Sequence, residues 1–141
     1  MEIAAHLVDH VIPPVPVRQW VLSLPKRLRG FLQRDAALAG KVLRILLEEV
    51  ERELRRHCPE AGAKARTGAV GFPHRFGTSL NPNYHFHACV IDGVYEAEAE
   101  GVHFHEATEL SEAAIGRVQE RVRRRVLKAF VRWGLDRKSV V

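Results

Sequence analysis

Apolar and polar positions along this chain repeat with two periods, one close to four residues and one of two. Ile3, Leu7, Val8 and Val11 recur at helical spacing and predict a short helix over residues 2–12, which Pro13, Pro14 and Pro16 end. The run from Val17 to Leu24, with Trp20, Val21, Leu22 and Leu24, predicts a buried first strand. Pro25 suits the first position of a second helix that turns Leu28, Phe31 and Leu32 inward and Lys26, Arg27 and Arg29 outward. Asp35 is an N-cap for a long helix reaching to about His57, where Pro59 stops it. Leu43, Leu46, Leu47, Val50 and Leu54 form its apolar stripe, while Glu48, Glu49, Glu51 and Glu53 alternate with Arg52, Arg55 and Arg56 on the side expected to face water.

A linker of small residues over 60–67 leads to a second predicted strand from Gly68 to Phe76, in which Pro73 marks an edge or a bulge. A turn-rich stretch from Phe76 to Asn81 precedes an alternating segment that ends at Ile91. Asp92-Gly93 suits a two-residue type I′ hairpin turn, with Val94 to Glu100 returning. Gly101 breaks that strand before a shorter one from Val102 to His105. Ser111 caps a last helix with the stripe Ile115, Val118, Val122, Val126, Phe130 and Trp133, and Gly134 stands at its C-terminal cap. These elements predict one α+β domain over residues 1–141, an antiparallel, palm-like sheet covered by helices on one face.

Within the alternating segment, His85 and His87 point to the same side of the strand, because side chains two apart share a face. The hairpin register then pairs Ile91 with Val94, Cys89 with Glu96, His87 with Glu98 and His85 with Glu100. One face would carry the two imidazoles beside carboxylates, and the other Phe86, Ala88, Val90, Tyr95, Ala97 and Ala99. Two nitrogen donors and an oxygen suit Mn²⁺ or Mg²⁺, with positions left for water or a phosphate. A solvated sheet face stabilised by cross-strand His–Glu pairs is the plainer alternative. His103 and His105, around Phe104, satisfy the same spacing rule and are a rival pair.

Charge adds a direction. The 141 residues carry a net charge of +5, and the isoelectric point is about 9.7, which favours polyanionic partners such as DNA or RNA. Arg117, Arg121, Arg124, Lys128 and Arg132 recur at helical spacing on one face of the last helix, with Glu120 as local counter-charge. Such a ladder could follow a phosphate backbone, and a solvated face is its alternative. Cys58 and Cys89 are the only cysteines, which fits a reducing, cytoplasmic setting, and Cys89 sits in an apolar run that disfavours reactivity. Neither a signal peptide, a membrane span nor a glycine-rich phosphate loop is visible, and nothing suggests a small-molecule substrate.

Phe76-Gly77-Thr78-Ser79-Leu80-Asn81, then Asn83-x-His85-Phe86-His87, then Val90-Ile91-Asp92-Gly93-Val94-Tyr95 resembles the core of bacterial insertion-sequence transposases of the two-tyrosine, rolling-circle type. These belong to the His-hydrophobic-His single-strand endonucleases. The stretches His6 to Pro13, Val17 to Pro25 and Phe130 to Leu135 are similar to the same transposases. The resemblance implies DNA as the partner, single-stranded or as the hairpin ends of a mobile element. It implies Mg²⁺ or Mn²⁺ as the cofactor, held by His85 and His87, with Glu98, Glu100 or His74 as third ligand. It also implies a tyrosine nucleophile joined covalently to the 5′-phosphate at a nick. In such transposases the tyrosines lie beyond the last helix and a cysteine-rich zinc segment lies upstream, whereas Tyr84 and Tyr95 here share the parity of the apolar face. The expectation is therefore a catalytic-core fragment of a transposase, inactive alone. A basic, non-catalytic nucleic-acid-binding domain is the alternative.

Overall fold

The computed structural model describes residues 14–76, 83–108 and 110–135, with the backbone alone described for 73–76, 83 and 84. The helix expected over 2–12 and most of the turn-rich stretch before the histidines lie outside these residues. In chain order the elements are β1 (Val17–Ser23), α1 (Lys26–Arg34), α2 (Ala36–Arg56), β2 (Ala69–Phe76), β3 (Asn83–Ile91), β4 (Gly93–Glu98), β5 (Gly101–Glu106) and α3 (Glu112–Arg132). The α+β class and the antiparallel pairing are as expected. The sheet itself is not continuous: β1, β3 and β2 form one three-stranded sheet in that order, and β4 pairs with β5 in a separate hairpin.

Local chemistry accounts for the helices. The Asp35 carboxylate accepts from the Ala37 N–H at 2.9 Å, and the Ser111 hydroxyl accepts from the Ala114 N–H at 3.2 Å, so each long helix starts on a side-chain cap. Beyond α3, Gly134 adopts a φ of 74°. The Leu135 N–H reaches the Phe130 carbonyl at 3.0 Å, and the Gly134 N–H reaches that of Val131 at 2.9 Å, closing the helix as a left-handed glycine allows. The apolar stripes then meet. Leu28 and Leu32 of α1, Val42, Leu46, Val50 and Leu54 of α2, and Val118, Val122, Val126 and Phe130 of α3 share one core with Trp20, Phe86, Ala88 and Val90 of the sheet.

That core fixes the two faces of the three-stranded sheet. Trp20, Phe86, Ala88 and Val90 are buried against the helices. Gly71 of β2 lies on this side, and a Cβ there would come within 2.9 Å of Leu43 on α2, so the strand and helix approach closely because the side chain is missing. The alternate positions, Gln19, Val21, Ser23, Phe72, His85, His87 and Cys89, lie on the other face. β1 is not the wholly buried strand expected, since only Trp20 among its residues is buried. It is an edge strand, and Pro73 on β2 sits on the opposite edge, where a missing N–H costs least.

The Asp92-Gly93 hairpin is overturned. Both neighbours of β3 are already fixed, β1 on one side and β2 on the other, so β4 cannot lie beside it. The chain instead changes sheets at Asp92. The Asp92 N–H donates to the Pro16 carbonyl at 2.7 Å, and Arg18 grips its carboxylate through Nε at 3.3 Å and Nη2 at 3.1 Å. Gly93 then enters β4 without the positive φ that a type I′ turn demands; among described glycines only Gly101 and Gly134 have one. The tight loop comes one strand later, at Ala99-Glu100, where Glu98 pairs with Gly101.

Candidate metal centre and basic surface

β3 is the central strand, and its alternation delivers His85 and His87 to the open face. Their ring centroids are 6.3 Å apart in an edge-to-face arrangement. Ser23 stands directly across from His85 in the β1 register, and its Oγ lies 2.7 Å from His85 Nδ1. Gln19 sits diagonally from His87, and its Nε2 lies 2.9 Å from His87 Nδ1. On the β2 side the Phe72 ring stacks on the His87 ring at 6.0 Å and 9°. Val17, Val21 and Phe72 on this same face are 44%, 56% and 45% exposed, unusually open for large apolar side chains.

His74 occupies the β2 position directly opposite His85, on the histidine face. Glu98 and Glu100 do not join the pair. The register that recommended them does not exist, and they lie exposed at the end and tip of the β4–β5 hairpin. Among the described residues no three His, Cys, Asp or Glu side chains come together closely enough to hold a metal ion. Among the described side chains, His85 and His87 are the pair that β3 brings together, and His74 holds the β2 position that faces His85 in the register.

The rival pair is used differently. His103 and His105 sit on β5 with rings 4.5 Å apart. Yet His105 Nε2 is 2.8 Å from a Glu96 carboxylate oxygen, and the other oxygen accepts the Gly62 N–H at 3.1 Å. The Gly62 N–H and the His105 ring hold the Glu96 carboxyl below its ordinary pKa. The cluster thus ties the linker to the hairpin, with His105 Nε2 engaged by Glu96. Cys58, buried nearby, is a poor nucleophile because burial pushes its thiol up, and Asp92 adds to the shift.

The basic ladder on α3 divides into three parts. Arg117 donates to Glu53 at 2.7 Å, and Arg121 bridges Glu49 at 2.7 Å and Glu53 at 2.8 Å. Arg125, which the ladder did not include, reaches Glu48 at 2.9 Å and Glu49 at 3.0 Å. Arginine numbers rise as glutamate numbers fall, the signature of antiparallel helices clamped along their contact. Glu49 and Glu53 are therefore not on a wet face; they are 4% and 1% exposed. Burial pushes the Glu53 carboxyl up, but hydrogen bonds from Arg121, Arg117 and His57 outweigh it and hold the pKa at about 2. Arg124 pairs with Glu120 on its own helix at 3.1 Å. Lys128 and Arg132 remain exposed and form no ion pair among the described residues. The sequence does carry a signal for the clamp: Glu49 and Glu53 fall three residues after Leu46 and Val50, on the core side of the helix.

A cavity of about 570 Å³ opens between β1 and α3, walled by Trp20, Leu22, Leu46, Val118, Val122 and Val126 among others. No His, Asp or Glu lines it, so its chemistry is unlike that of the histidine face.

Residues 68–140 match the model of the family Y2_Tnp, described as "Putative transposase", and the match spans more than half of the chain. The chain belongs to this transposase family. No curated protein and no solved structure gave a significant match. Among the described residues no helix is long and apolar enough to cross a membrane.

Proposed function

We propose that this chain is the metal-site and DNA-docking part of a two-tyrosine, rolling-circle type transposase. The observation that carries the reading is the joint projection of His85 and His87 from the central strand onto an open face, in a chain of a transposase family. His85 and His87 would hold Mg²⁺ or Mn²⁺, with His74 across the sheet as the candidate third ligand. The positions left open would take water and phosphate oxygens, the donors these ions favour. When bound, such an ion polarises a scissile phosphate and orients it for in-line displacement. The face also offers exposed Phe72 and Val21 around the imidazoles, a surface on which unpaired bases can rest.

The attacking group is not supplied by the tyrosines of this chain. Tyr95 packs on Phe104 with ring centroids 5.2 Å apart, on the separate hairpin. Tyr84 pairs in register with Arg75, at a β3 position of opposite parity to His85 and His87. The chain alone thus binds but does not cut. Calorimetry with Mn²⁺ tests the site: the wild-type protein binds, and His85→Ala combined with His87→Ala abolishes binding. Unchanged affinity in that double variant would refute the assignment.

A basic, non-catalytic DNA-binding domain is the second reading, favoured by the exposure of Lys128 and Arg132 on a helix that packs against the opposite side of the sheet. Under it, a chelator leaves DNA affinity untouched.

A further inference from the structure

We infer that Gln19 and Ser23 of the edge strand β1 are positioning residues for the metal centre, fixing the tautomer and aim of both imidazoles. The inference rests on the reading of His85 and His87 as metal ligands. A histidine that ligates through Nε2 must carry its proton on Nδ1, and that N–H needs an acceptor. β1 supplies a polar group at Nδ1 of each ring: Ser23 Oγ at 2.7 Å from His85 and the Gln19 amide at 2.9 Å from His87. The two contacts arise from one geometric fact. Ser23 and Gln19 are four residues apart on a strand, so they share the face of His85 and His87, one directly across and one diagonally.

The two partners differ in what they ask of the ring. A hydroxyl donates or accepts freely, so Ser23 can accept from His85 Nδ1–H without moving. The Gln19 amide lies against His87 Nδ1 at 2.9 Å, and an amide offers either its NH₂ donor or its Oε1 acceptor there, according to how it is turned. With Oε1 towards the ring it accepts from Nδ1–H, the tautomer in which Nε2 carries no proton. Loading the site therefore selects the orientation with Oε1 on Nδ1, and in that role Gln19 positions His87. Both side chains are exposed on an edge strand, outside the core, so replacing them leaves the packed residues untouched.

The test uses the full chain with Mn²⁺ in calorimetry and Mg²⁺ in nitrogen-15 NMR of the imidazoles. Ser23→Ala and Gln19→Leu should each weaken Mn²⁺ binding about 10- to 100-fold, the range for lost outer-shell partners of a ligating histidine. Gln19→Glu, which can only accept, should bind at least as tightly as wild type. At saturating Mg²⁺ both rings should carry the proton on Nδ1. Wild-type binding with no loss in Ser23→Ala and Gln19→Leu would overturn the positioning role and leave the metal site standing. An Nε2–H tautomer in the loaded protein would overturn it too. Absence of Mn²⁺ binding by wild type would remove the metal reading itself, and this inference with it. DNA covalently attached to Ser23 would instead make that residue a nucleophile and refute the positioning role.

Discussion

Glu53 shows how much one side chain can hold in this fold. It is 1% exposed and its carboxylate accepts from Arg117 and Arg121, while His57 lies at 3.3 Å. Glu53→Gln keeps the shape and removes the charge, leaving the two guanidiniums without their shared anion. The expected loss is about 2–3 kcal/mol, below the roughly 3–5 kcal/mol of a fully buried broken pair, because water can reach Arg117 at 38% exposure. The pH dependence has a definite sign. The folded pKa, about 2, lies below the ordinary 4.5, so the stabilisation is complete above 4.5 and fades as pH falls towards 2. Urea titrations at pH 7, 4 and 2.5 should show the gap between wild type and Glu53→Gln narrowing down that series; a constant gap would contradict the clamp. Spacing on α2 placed Glu53 near the core side, but charge alone assigned it to water. The partner that reverses the assignment, Arg121, lies 68 residues away and has no local signal.

The β3–β4 junction separates what a short stretch can encode from what the fold decides. Asp92-Gly93 has turn chemistry, yet here each residue serves another purpose: Asp92 anchors to Arg18, and Gly93 lets β4 approach β5. A Cβ on Gly93 would collide with the His105 carbonyl oxygen and come within 2.8 Å of the Phe104 ring. Gly93→Ala should therefore cost about 3 kcal/mol, as overpacking against backbone does, and speed amide exchange at Ala107, whose N–H bonds to the Asp92 carbonyl at 2.9 Å. A simple left-handed turn would cost only about 1 kcal/mol on the same substitution. Helices were legible because their information is local: Leu46, Val50 and Leu54, or Val118, Val122 and Val126, announce their burial every three or four residues. The pairing of β3 was not legible, because its partner β1 lies over 60 residues upstream and the alternation of His85, Phe86 and His87 is equally content beside either neighbour. The face of the histidines was therefore readable from parity, whereas Glu98, Glu100, Gln19 and Ser23 depended on register, which parity does not contain.

For the whole molecule, the paired imidazoles and the exposed cations of α3 lie on opposite sides of the three-stranded sheet. The imidazoles occupy the open face, and α3, with Lys128 and Arg132 exposed, packs into the core beneath the other. The two sides should respond to different variables if both meet DNA. Phosphate neutralisation makes affinity fall with salt, and each lost contact lowers the slope by about 1. Lys128→Ala and Arg132→Ala are thus expected to flatten the salt dependence of single-stranded oligonucleotide binding without changing Mn²⁺ affinity. His85→Ala with His87→Ala should leave that slope intact and remove any gain in affinity that Mn²⁺ confers. Arg121 is unsuited to this comparison, since its charge is committed to Glu49 and Glu53 and its loss would report on folding. Fluorescence anisotropy across a salt series, with and without Mn²⁺, measures both effects at once. If removing the histidines flattened the salt slope, the open face would itself be a phosphate track. If neither side moved its own variable, the chain would reach DNA by a surface that neither the imidazoles nor α3 supplies.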